Sequence, residues 1–183
     1  MKRLALAASC TLLILAAASA SAGDLAGRIE GDKSVVWLEG TFPKPAAPKG
    51  ITISQRGIHF SPEFAVIVAG TPVEMPNDDN VAHNVYSLSP VKRFNLGVYA
   101  KGESRTVIFD QPGVVGLRCW LHERMTGLIV VVPNRFYSIG QSGAYRIVNV
   151  PAGTYKVVGV KAGEEKVVKT VTIPLTGTAT VDF

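Results

Sequence analysis

Beyond residue 22 the chain is a succession of short apolar runs rich in valine and isoleucine, each ended by glycine or proline, of which the 183 residues hold 18 and 11. No apolar stripe of helical spacing persists for three turns, so the pattern that buries one face of a helix is missing. Short runs bounded by turn residues are the signature of strands buried on one or both faces. The predicted strands are 35–38, 51–54, 64–68, 71–74, 84–88, 94–98, 104–109, 113–118, 128–132, 145–150, 153–160, 165–173 and 178–183. The fold class that follows is all-β.

Composition breaks at two points. The segment from Phe42 to Gly50 carries Pro43, Pro45 and Pro48 and reads as an extended linker, because proline cannot sit inside a sheet. Val132-Pro133-Asn134 closes a wholly apolar strand, and Gly140-Gln141-Ser142-Gly143 then opens a new series of alternating strands. These breaks delimit a core module over 48–133, a front segment with its linker over 23–47 and a tail over 134–183. The tail is short for a core of its own. Either the front segment, through 25–31 and 35–39, completes a second small sandwich with the tail, or it pairs with the core module and leaves the tail separate. The sequence weighs the two equally.

Residues 1–22 open with Lys2-Arg3, run apolar from Leu4 to Ala18 and close on Ala20-Ser21-Ala22, a small-x-small cleavage pattern. They are expected to be a signal peptide, cut after about Ala22, on a soluble exported protein. Cys10 precedes most of the apolar stretch and does not read as a lipidation cysteine. No later run reaches the roughly 18 apolar residues of a spanning helix. The formal charge of +5 shrinks once Lys2 and Arg3 are removed, and so mild an excess points to neither nucleic acid nor a polybasic membrane contact. Cleavage leaves Cys119 as the sole cysteine, so no internal disulfide can form. A lone thiol in an oxidising compartment has to be buried or held by a metal.

That thiol stands in Cys119-Trp120-Leu121-His122-Glu123-Arg124-Met125, between a strand ending at Arg118 and one starting near Leu128. Upstream, Asn80-Val81-Ala82-His83-Asn84 begins another strand. Cys119, His83, His122 and Met125 offer one thiolate, two imidazoles and one thioether, a set that suits copper cycling between Cu(I) and Cu(II). Cu(I) prefers soft donors and low coordination while Cu(II) prefers nitrogen, and a constrained trigonal set with a distant thioether serves both. Asn84, beside His83, is positioned to reach across to the loop holding Cys119 and pin two strands together, while nearby backbone N–H groups can donate to the sulfur.

Taken singly, each of these residues is weak evidence, since a lone cysteine or methionine is usually core filling. The C-x2-H-x2-M spacing in one loop between strands, with His-Asn upstream, carries the reading. His59 reads as a surface or supporting group. Asp78 and Asp79, with Glu74 nearby, lie in a turn and read as residues that cap and bend backbone, not as a hard-ion site. No second histidine cluster is present for oxygen chemistry, and a closed donor set lacks the open water position of a hydrolytic zinc.

On these residues the chain resembles the cupredoxins, the blue copper proteins of the plastocyanin and azurin superfamily. The short C-x2-H-x2-M loop is similar to that of amicyanin, plastocyanin-like and azurin-like loops being longer. The resemblance covers 51–132, through Asn77-x-Asp79-x3-His83-Asn84-Val85, the strand at 106–109, and Cys119 to Met125 leading into Gly127-Leu128-Ile129-Val130-Val131. It implies a Greek-key β-sandwich, one type 1 copper ion on His83, Cys119, His122 and Met125 with Asn84 behind them, and one-electron transfer between periplasmic redox partners without substrate turnover. Glu123 stands where proline is common in amicyanin and Arg124 where an apolar residue is expected, and both weaken the apolar patch that usually docks a partner. The tail from Tyr145, through Val150-Pro151-Ala152-Gly153-Thr154-Tyr155, resembles instead the small prealbumin-like or carboxypeptidase regulatory-like β-sandwich domains. The combination is similar to exported cupredoxins sometimes labelled methylamine utilisation proteins.

Two other functions compete with the electron carrier. A copper-scavenging or copper-sensing protein would hand its metal quickly to an acceptor. An adhesion module would lose envelope binding with residues 134–183 while keeping its optical spectrum. Arg118, Arg124, Lys92 and Arg93 make a mildly basic rim of the kind an acidic partner could meet, and the protein is expected to be a monomer.

Overall fold

The computed structural model describes residues 21–43, 46–163 and 165–183. The expected leader over 1–22 lies outside the described residues apart from its last two. Every regular element among the described residues is a strand. In chain order these are β1 (Ala22–Arg28), β2 (Ser34–Glu39), β3 (Ile51–Thr52), β4 (Ser54–Arg56), β5 (His59–Ser61), β6 (Phe64–Val68), β7 (Thr71–Pro76), β8 (His83–Ser87) and β9 (Phe94–Tyr99). They continue with β10 (Ser104–Phe109), β11 (Gly113–Arg118), β12 (Thr126–Val132), β13 (Tyr137–Ile139), β14 (Ala144–Pro151), β15 (Gly153–Lys161), β16 (Val167–Ile173) and β17 (Thr178–Thr180).

Four sheets form, in the orders β14-β1-β17, β13-β2-β15-β16, β6-β12-β11-β8-β9 and β10-β7-β3, together with the hairpin β4-β5. Side-chain alternation along a strand decides how they layer. On β12, Ile129 and Val131 join a buried cluster with Val73, Phe109 and Leu117, while Val130 and Val132 join another with Val35, Trp37 and Val158. On β2, Val35 and Trp37 enter that second cluster, and Val36 and Leu38 enter a third with Leu25, Ile147 and Val157. Three apolar layers thus separate four sheets, and the middle layer is shared by the sheets holding β2 and β12. This explains why 35–38 and 128–132 read as unbroken apolar runs, since a strand covered on both faces needs both sets of side chains apolar.

The front segment pairs with the tail. Strand β1 is antiparallel to β14 and parallel to β17, and β2 is antiparallel to β13 and β15. Ala22, the last residue of the expected leader, opens β1 opposite Pro151. The stretch 51–54, expected as one strand, is broken into β3 and β4, and β5 and β13 were not foreseen; both are three-residue strands too short to show an alternation.

Two irregularities shape the end of the core module that matters for function. The β8–β9 ladder shifts register between Asn84 and Tyr86, and such bulges re-aim side chains. The β4–β5 hairpin turns on Gly57 and Ile58 with φ of 64° and 63°, the paired positive values of a two-residue hairpin turn.

Candidate metal centre

His83 opens β8, and Cys119, His122 and Met125 lie on the loop between β11 and β12. That loop closes on itself: Met125 N–H donates to His122 O at 2.9 Å, and Cys119 N–H to Met125 O at 3.3 Å. His83, Cys119 and Met125 are buried and His122 is half-buried.

The three strong donors converge. Cys119 Sγ stands 4.0 Å from His83 Nδ1 and 3.8 Å from His122 Nδ1, and the two nitrogens are 3.1 Å apart. A first-row ion held at roughly 2.0 Å from nitrogen and 2.3 Å from sulfur spaces its donors by roughly 3.3 to 4 Å, so this triangle needs little adjustment to close on one. No other group of three or more histidine, cysteine and acidic residues with this convergence is found among the described residues. A clustered His83/Cys119/His122 triad of this kind is typical of a single type 1 copper site.

The surroundings fix the donors. Asp79 Oδ2 lies 2.7 Å from His83 Nε2 and accepts from Ile58 N–H at 2.9 Å, while its Oδ1 accepts from Gly57 N–H at 2.5 Å. A carboxylate only accepts, so Nε2 carries the proton and the lone pair of Nδ1 faces Cys119 and His122. Burial alone would push Asp79 up, but the hydrogen bonds from Ile58 and His83 and that from Gly57 outweigh it and hold the carboxyl below the usual carboxylate range. The turn presenting Asp79 is itself built: buried Asn77 donates to Val81 O and Tyr99 O at 2.9 and 3.0 Å and accepts from Asp79 N–H at 2.9 Å.

Asn84 N–H points at Cys119 Sγ across 3.5 Å, the backbone donor to sulfur anticipated from sequence. The Asn84 side chain turns away from the loop it was expected to reach. Its amide donates to Asn95 Oδ1 at 2.8 Å and Gly97 O at 3.0 Å, both on β9. The bulge after Asn84 interrupts the β8–β9 ladder there, and the amide replaces the missing backbone partners. The buried Oδ1 of Asn84 has no hydrogen-bond partner.

The remaining sequence candidates lie elsewhere. His59 is exposed beside Glu63 at 3.4 Å. Asp78 pairs with Arg56 at 3.4 Å on the surface, and Glu74 accepts from Ser104. Asp79, read from sequence as a backbone cap only, is the residue whose link to His83 was missed; its place four before His83 was the available signal. Around half-buried His122, Trp120 and Leu121 are 53% and 47% exposed, and Trp120 leans on Tyr86 with ring centroids 5.8 Å apart.

No family model matches the chain, and no curated protein matches it. Among solved structures it is similar to a reduced amicyanin variant, at 21% identity over 45% of this chain and 82% of that one, with a TM-score of 0.42. It is also similar to a copper-containing nitrite reductase from Thermus scotoductus SA-01, at 24% identity over 53% of this chain and 25% of that one, with a TM-score of 0.45. A purple cupredoxin from Nitrosopumilus maritimus is 31% identical over 40% of this chain and 81% of that one, with a TM-score of 0.38. The strand-rich all-β layering and the convergent triad are together consistent with a cupredoxin-type β-sandwich carrying one type 1 copper site.

Proposed function

We propose that this protein is a periplasmic carrier of single electrons, not an enzyme, built around one type 1 copper ion. His83 Nδ1, Cys119 Sγ and His122 Nδ1 are the strong ligands, and Met125, buried at the end of the loop, supplies the weak thioether. The observation that carries the reading is the convergence of those three donor atoms within 4.8 Å in a buried setting. Copper bound there supplies a reversible one-electron couple.

The chain's residues do the rest. Asp79 holds the His83 ring in the tautomer that leaves Nδ1 free, and the Asn84 N–H helps to stabilise negative charge on sulfur. The hydrogen bonds of the Cys119–Met125 loop keep the donors in one place whatever the valence, so little rearrangement opposes the transfer. Burial of His83, Cys119 and Met125 excludes water and favours a carrier over a scavenger or sensor, which has to release its metal. His122, half-exposed and following exposed Trp120 and Leu121 on the loop, is the exit toward a redox protein.

The same reading includes export after cleavage near Ala22, a monomeric state, and a division into a cupredoxin domain over 48–133 and a second small sandwich. That second unit, from 23–47 and 134–183, is supported by the β1–β14 and β2–β15 pairings and by the apolar cluster around Leu25, Ile147 and Val157, and its prealbumin-like or carboxypeptidase regulatory-like character rests on the sequence resemblance of the tail from Tyr145. Mass spectrometry of the exported protein tests the cleavage site. The copper reading is tested by absorption and paramagnetic resonance spectra of the copper-loaded protein and of Cys119→Ser. An intense visible sulfur-to-copper band, lost in the variant, is expected; copper uptake without that band would sink the assignment.

A further inference from the structure

The outer face of the sheet β6-β12-β11-β8-β9 is covered over only part of its extent. Val114, Val130 and Val132 pack from it into the layer shared with Trp37 and Val158. Toward the metal loop the cover ends. Leu117 and Cys119 belong to the inner cluster, so Arg118 between them faces outward and is exposed, and Tyr86, its pairing partner on β8, shares that face. Trp120 leans on Tyr86 from the loop while 53% exposed. Tryptophan, tyrosine and arginine are the residue types that dominate the binding energy of protein interfaces, and here they sit together on an unpartnered sheet face.

The charges around the aromatic pair select what can cover it. The guanidinium groups of Arg118 and Arg124 have no partner among the described residues, and Glu123 is the one carboxylate of the run 118–125. The other two cations of the basic rim expected from sequence lie elsewhere. Lys92 pairs with Asp110 at 3.0 Å, and Arg93 precedes Phe94, which pairs with Ser87 at the end of β8 away from His83. The unpaired positive charge is thus concentrated at the metal loop and the aromatic pair, where it complements a negative surface.

We propose that Tyr86, Arg118 and Trp120 form the docking surface for an acidic redox protein, one that presents a flat apolar centre rimmed by carboxylates. The aromatic pair meets the centre, and Arg118 and Arg124 meet the rim. The choice of a redox protein rests on the carrier reading, and the proposal extends the contact from the His122 exit on to the sheet face.

The test uses the full-length exported protein, labelled with nitrogen-15, loaded with diamagnetic Cu(I) and again metal-free. The probe is pyrene tetracarboxylate, a flat ring system edged with carboxylates, and butane tetracarboxylate carries the same charge without the rings. The chain has two tryptophans, so Trp120→Phe assigns the indole N–H resonance of Trp120. The pyrene probe is expected to shift that resonance and the backbone N–H resonances of Tyr86 and Arg118 in a saturable manner, and the butane probe to bind about tenfold more weakly. Arg118→Gln and Trp120→Ala should each weaken the pyrene probe at least about fivefold with the thermal melt in place, and Arg93→Gln should change nothing. No saturable shift at Trp120, equal affinity for the two probes, a footprint confined to His122 and Glu123, or an unchanged response in Arg118→Gln would overturn the proposal. Should Trp120→Ala fail to fold, Arg118→Gln decides. The metal-free arm separates a failure here from a failure of the carrier reading, which the sulfur-to-copper band judges.

Discussion

Replacing Asp79 by asparagine tests how much of the metal centre is built from outside its ligands. The carboxylate receives three donors, His83 Nε2–H at 2.7 Å and the N–H groups of Gly57 and Ile58 at 2.5 and 2.9 Å. An asparagine keeps the shape but turns an NH2 group toward at least one of those donors, so the His83 ring loses its clamp or the hairpin turn loses its anchor. Partners of this kind set the orientation and basicity of a ligating imidazole, and their loss costs about 10–100-fold in metal affinity. That range corresponds to roughly 1.4–2.7 kcal/mol. A less basic His83 favours Cu(I) over Cu(II), so the reduction potential should rise. Affinity for Cu(II), the state that the weaker imidazole penalises more, is measured by competition against a Cu(II) chelator, with a thermal melt of the metal-free protein to separate binding from folding. Asp78→Asn is the control: its neighbouring carboxylate makes only an exposed 3.4 Å pair with Arg56 and should change nothing measurable. An Asp79→Asn affinity within about threefold of the unsubstituted protein, below the range for such partners, would refute the reasoning.

Three further outcomes follow from the geometry. Ile58 is 43% exposed yet sits at φ 63°, a region that costs a β-branched residue roughly 1 kcal/mol, so Ile58→Asn should raise the denaturation midpoint while keeping the N–H bond to Asp79. A Cβ on Gly27 would lie 1.8 Å from Val181 O, so Gly27→Ala should cost about 3 kcal/mol in chemical denaturation and loosen β17 from β1. Asp24 is held below the usual carboxylate range by the Arg146 side chain and the Asn149 N–H. Its folded value is depressed, so its contribution is present above the ordinary value of 3.8 and disappears as the pH falls through the folded one. Melting curves of the protein and of Asp24→Asn should differ near neutrality and converge as the pH falls below that range.

What could be read in advance and what could not divide along physical lines. Cys119, His122 and Met125 share one loop, so their spacing alone announces a common task; His83 is recognisable by the Asn84 that follows it. Asp79 was opaque because its other partners, Gly57 and Ile58, belong to a hairpin 21 and 22 residues upstream, and nothing local tells which carboxylate a distant turn will seize. Asn84 was read in the wrong direction because the bulge opposite it, at Leu96 and Gly97 of β9, is not visible in a short run of residues, and the amide takes up the Gly97 carbonyl there. The apolar run 35–38 did signal a strand, though not that it would be covered on both faces. The prolines that follow it suggested a free linker, while the shared layer of Trp37, Val130 and Val132 ties the two regions through packing that no linker composition can reveal.

That shared layer has a mechanical consequence. Strand β12 is glued on both of its faces, through Ile129 on one side and Val130 on the other, so the ribbon from which the Cys119–Met125 loop hangs has no bare veneer. The assembly is closer to plywood than to two beads on a string. A protein docking against Trp120 or Leu121 would push on a stiff laminate, and a load applied there would spread as shear between plies instead of swinging one half of the molecule about its proline-rich segment.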